Sequence, residues 1–181
     1  QVGVFMAYAS SREHALVHVR LYLPKPWAKD RARRNRCGIP RGLRYRTRHE
    51  LALEMLRETG PLLPHGWVTG DDEMGRSSRF RAELRDMRVC YLLALPSSTT
   101  PRDLEAEPPA WGGHGRPPKR AFEQVRAWAG SLPPGAWRRI ELGDGERGPK
   151  VVELGVTRVV ARSDRGRVGP GELLAVVRDP D

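Results

Sequence analysis

Residues 2–9, VGVFMAYA, alternate large and small side chains and predict a strand. Residues 15–23, ALVHVRLYL, alternate more cleanly, with Val17, Val19, Leu21 and Leu23 forming the expected core face. The polar link between them is short, so the pair predicts an antiparallel hairpin. Prolines 24, 26 and 40 and glycines 38 and 42 then argue against a regular element through most of residues 24–46. Thr47-Arg48-His49-Glu50 has the form of a capping box, and Leu51, Ala52, Leu53, Met55 and Leu56 give the helix behind it a broad apolar face. Gly60 and Pro61 end that helix. A short strand over 66–69 leads into Asp71-Asp72-Glu73, and a second helix starts near Ser77 or Ser78, with Phe80, Leu84 and Met87 on one face. Residues 89–95 are uniformly apolar, as in a strand buried on both faces of a sheet. Six prolines and three glycines then make residues 96–119 a loop or arm. An amphipathic helix is expected over 121–132, and strands over 137–142, 150–161 and 172–178.

Charge changes this picture. The 181 residues carry a formal net charge of +10. Residues 20–48 hold eleven basic residues and one acid, Asp30, so the whole excess sits there. A local patch of that size implies a polyanion partner, the alternative being a solvated basic face. The seven-residue run at 89–95 is far short of the roughly 20 that a membrane helix needs. QVGVF shows no signal-peptide pattern and reads as a cut edge. Two cysteines, Cys37 and Cys90, cannot build a disulfide scaffold and fit a reduced, cytoplasmic setting. The 28 arginines suit phosphate oxygens, although a GC-rich genome produces the same bias.

Asp71, Asp72 and Glu73 are the sharpest chemical feature, because loops at strand C-termini carry the sites of open α/β sheets. Three adjacent carboxylates fit a divalent cation shared with substrate phosphate, or else an exposed acidic turn that caps the next helix. A nucleotide-hydrolase loop is excluded, since the chain contains no Gly-Lys pair. His14, His18, His49, His65 and His114 are not at metal-ligand spacing, and His18 reads as a surface residue. Ser77 and Ser78 fit a helix cap better than a nucleophile elbow. Trp67, Trp111, Trp128 and Trp137 read as core or arm packing; Trp27 either stacks on a base or sugar or anchors the basic segment.

The runs VGVFMAYAS, ALVHVRLYLPKPWAKDRARR, RTRHELALEML, GWVTGDDEMGRSSRFRAEL, YLLALPSST and GRVGPGELLAVVR together resemble DDE transposases of bacterial insertion sequences, in particular the group numbered seven hundred and one. The resemblance implies a mixed α/β, RNase H-like core that cuts and transfers DNA strands with three carboxylates and two divalent cations, Mg2+ or Mn2+. Asp71 corresponds to the second catalytic acid and metal ligand. The first acid belongs on a strand before Val2, and the third on a helix beyond a β-rich insertion. Glu123, on the helix expected at 121–132, fits the insertion better than that catalytic helix.

The expected organisation is a partial core over 1–95, missing its first strand and last catalytic helix, a Pro/Gly-rich arm over 96–120 and a β-rich insertion over 121–181. The expected function is that of a transposase fragment, inactive alone, whose DNA contacts come from Arg31, Arg33, Arg34, Arg36, Arg41, Arg44, Arg46 and Arg48. Its partners would be transposon ends and target DNA near the bacterial nucleoid, with no membrane. Two other readings stand beside it: a DNA-binding module without chemistry that uses residues 20–48, and a domain whose acidic cluster holds a cation for stability alone.

Overall fold

A computed structural model describes residues 2–145, 148–163 and 165–180. Two compact units divide the chain, Gln1–Ala94 and Leu95–Asp181.

The first unit opens with the hairpin β1 (Val2–Ala9) and β2 (His14–Tyr22), antiparallel with a bulge between Met6 and Ala7. The expected core face of β2 is reversed. Val19 and Leu21 are exposed, whereas Tyr22 joins Val4, Met6, Leu51 and Met55 in a core cluster. His18 and Arg20 share that covered face: His18 Nδ1 lies 2.7 Å from Thr59 Oγ1, and Arg20 pairs with Glu58 at 2.5 Å. Alternation separates two faces but does not say which one a helix covers. Here β1 supplies the apolar side chains of the covered face, and β2 adds polar ones that bond to the helix. His18 is thus half-buried and bonded rather than a free surface residue.

The segment expected to lack regular structure contains two short helices, α1 (Lys25–Lys29) and α2 (Arg31–Arg36). Pro26 falls in the first turn of α1, where its missing N–H costs nothing. The Asp30 side chain accepts from Arg33 N and starts α2. Gly38, at φ +64°, ends it: its N–H donates to Asn35 O, and Ile39 N donates to Arg34 O. Helix α3 (Arg48–Thr59) begins at the expected capping box, with Glu50 N donating to Thr47 Oγ1 and Thr47 N to the Glu50 carboxylate.

Strand β3 (Trp67–Gly70) runs parallel to β4 (Cys90–Leu93), and the crossover between them holds α4 (Asp72–Gly75) and α5 (Ser78–Asp86). Ser77 Oγ accepts from Phe80 N, which makes Ser77 the N-cap of α5. Strand β4 is not buried on both faces. Tyr91 and Leu93 pack on the cluster of Leu53, Leu56, Phe80 and Leu84, but Leu92 is exposed, as is Trp67 beside it on β3. Helices cover one face of this two-stranded sheet, so apolar side chains on the other stay open.

In the second unit β7 (Gly148–Arg162) pairs antiparallel with β6 (Arg138–Gly145), β8 (Val168–Arg178) and the two-residue β5 (Arg102–Asp103). Helix α6 spans only Val125–Ser131. Residues before it are held extended, because Glu123 N donates to Pro101 O and Val125 N to Thr99 O. Glu123 therefore stands outside the helix. Val125, Trp128, Val159 and Leu174 form the core of this unit, and Trp111 is exposed.

Candidate functional site

Asp71 directly follows β3 and caps α4, its Oδ1 accepting from Met74 N at 3.1 Å. It is exposed, and its other carboxylate oxygen has no partner among the described residues. Its two acidic neighbours are differently placed. Asp72 pairs with Arg76 at 3.1 Å, one helical turn on. Glu73 pairs with Arg48 at 3.3 Å, and its backbone carbonyl accepts from His49 Nε2 at 2.8 Å. The three acids therefore do not converge. Their charges are balanced by arginines, which relieves the crowding that would otherwise demand a cation. Among the described residues no three His, Cys, Asp or Glu side chains group as a metal site.

The tie from α3 to this turn has no signature in linear spacing. Arg48 and His49 reach Glu73 from about 24 positions away, and only the packing of α3 on β3 and α5 brings them together. Gly75 fixes the turn from its other side. A Cβ there would stand 1.9 Å from the Ala94 carbonyl oxygen, so α4 sits flush against the backbone that follows β4.

The eight arginines of the basic segment divide into two sets. Arg34 donates to Ala28 O, Pro40 O and Leu43 O and ties the loop after α2 to α1. Arg33 pairs with Asp30 at 3.6 Å and lies over the Trp27 ring at 4.9 Å, so one face of that indole is already occupied. Arg46 pairs with Glu54 at 3.3 Å; Arg48 pairs with Glu73 and lies 5.1 Å over Tyr22. Arg31, Arg36, Arg41 and Arg44 are exposed and have no partner among the described residues. An uncommitted guanidinium keeps its full charge and fork for phosphate oxygens, whereas a committed one must first break its internal contact.

A family model described as DDE superfamily endonuclease matches residues 1–149. No curated protein and no solved structure matches the chain.

Proposed function

The chain belongs to the DDE superfamily endonuclease family, and on that premise we propose that it is a fragment of an RNase H-like transposase core of the insertion-sequence group numbered seven hundred and one. The family carries with it a transposase-like nuclease role and a DNA substrate. It generally works with divalent cations, which activate an attacking oxygen and stabilise a leaving one. The donors present here do not fit a two-cation centre. Asp71 offers one free carboxylate oxygen, its two acidic neighbours are held by arginines, and Glu123 lies in the other unit. In this reading Asp71 is one ligand of a centre whose other acids lie outside these 181 residues, and the chain alone neither cuts nor joins DNA.

What the chain does alone is bind DNA. The four uncommitted arginines between Arg31 and Arg44 carry that reading. They contact phosphates, so binding is independent of sequence and falls steeply with salt. The test uses the purified 181-residue chain with supercoiled plasmid and Mg2+ or Mn2+. Binding without nicking is expected, and replacing the four arginines by glutamine should lower the slope of log K against log salt by roughly 0.9 per lost contact. Cation-dependent nicking abolished by Asp71→Asn would overturn the inactivity, and a flat salt dependence would overturn the binding mode.

The same arginines favour a second reading, a DNA-binding module with no catalytic past. The genomic sequence around the reading frame separates the two. An upstream frame encoding an Asp-bearing strand and a downstream one encoding a Glu-bearing helix support the transposase.

A further inference from the structure

A groove of about 830 Å³ runs through the Gln1–Ala94 unit. Every residue of β1 lines it, and so do residues 63–71, which include all of β3. Ala52, Met55 and Leu56 of α3 and Phe80 of α5 complete an apolar lining. Among the described residues β1 pairs only with β2, and β3 only with β4. Two strand edges thus face one groove, each offering backbone N–H and C=O groups that belong to no ladder.

Such an edge is a template for another strand, and here two templates are aligned. The Tyr8 hydroxyl, near the end of β1, donates to Pro64 O, just ahead of β3, at 2.8 Å. The end of β1 therefore meets the start of β3, and the two edges run antiparallel. A segment parallel to β3 is then antiparallel to β1, and both pairings are standard ladders. We propose that this groove seats an extended polypeptide strand that runs parallel to β3 and antiparallel to β1 and joins the two hairpin-sized sheets into one. Alternate side chains of that strand are apolar and rest on Ala52, Met55 and Leu56; its last residue arrives beside Val2 and Asp71. Backbone pairing on both sides supplies the affinity, and the apolar lining selects the side chains. A small molecule could satisfy few of the facing backbone groups, and a strand satisfies them at its own spacing. The proposal does not rest on the nuclease reading.

The orientation gives the test. A strand ending beside Val2 needs only a tight turn to reach Gln1, so Thr-Val-Thr-Val-Glu-Val followed by Asn-Gly is joined ahead of Gln1 in the full chain. Hydrogen exchange is followed at single amides. The expected result is at least tenfold slower exchange at those amides of β1 and of β3 that do not pair with β2 or β4, together with a higher Tm. The same extension with proline at alternate positions, which lacks the N–H donors, should protect neither edge. Ala52→Trp, which fills the lining, should remove the β3 protection while β4 keeps its own. Protection confined to β1, no protection at all, or protection accompanied by a doubling of molecular mass each overturns the proposal. The first two mean that no strand enters between the edges, and the third means that a second copy of the chain occupies them.

Discussion

At Gly75 the absent side chain is the functional feature. An added methyl group would overlap the Ala94 carbonyl oxygen, and backbone yields far less readily than a flexible side chain. Gly75→Ala should therefore push α4 off β4 and with it Asp71, whose Oδ1 caps that helix. Overpacking of this kind costs about 1–3 kcal/mol, to be read from urea denaturation. Gly66, which has open space around its Cβ position, is the control and should change stability by less. Arg34 makes a similar point for the basic segment. It has three carbonyl partners there, so it orders the loop from inside, while Arg31 and Arg44 stay at the surface.

At the scale of elements, helix ends carry the local information. Thr47 and Glu50 satisfy each other's backbone donors, and the Thr47 N–H, foremost among the causes, holds the Glu50 carboxyl below the usual range. Thr47→Ala removes one half of the box and should cost about 1 kcal/mol, measurable in the same denaturation experiment. Serine at that position should restore most of the loss, because its hydroxyl reaches the same N–H. These caps were legible because each lies within four residues of its partner. The helices of the basic segment were not. Prolines and glycines usually interrupt structure, and here Pro26 sits in a first turn while Gly38 closes a C-terminus. The extended stretch before α6 was hidden for a different reason. Its backbone bonds go to Thr99 and Pro101, more than twenty positions back, and they override an amphipathic pattern.

At the scale of the whole molecule, acid stability depends on a few carboxylates that gain partners on folding. Asp103 is the clearest in the second unit. Burial works against its charge, but hydrogen bonds from Thr157 Oγ1, the backbone of Glu105, Trp128 Nε1 and the backbone of Ala106 together hold its carboxyl below the usual range. A lowered native pKa means that this stabilisation is complete above the unfolded-state value of about 3.9 and is lost as the pH falls below it. The wild-type chain should lose Tm between about pH 4 and 2 more steeply than Asp103→Asn. The variant, already less stable at neutral pH, has no such group left to protonate. Trp128 fluorescence reports the event directly, because its indole N–H donates to that carboxylate.

The sequence by itself determined the elements and the chemical class. Alternation marked the hairpin and most strands of the second unit, caps marked α3 and α5, and the placement of charge marked one segment as the partner of a polyanion. Its runs also pointed to the family that residues 1–149 match. All of these signals are local or additive, so they survive without knowledge of the fold. Only the tertiary structure decided which hairpin face α3 covers, that Asp72 and Glu73 are neutralised by Arg76 and Arg48, and which four arginines remain uncommitted. It alone showed the open edges of β1 and β3 facing one groove. Those outcomes depend on groups tens of residues apart competing for the same partners, and a linear pattern does not encode which of them wins.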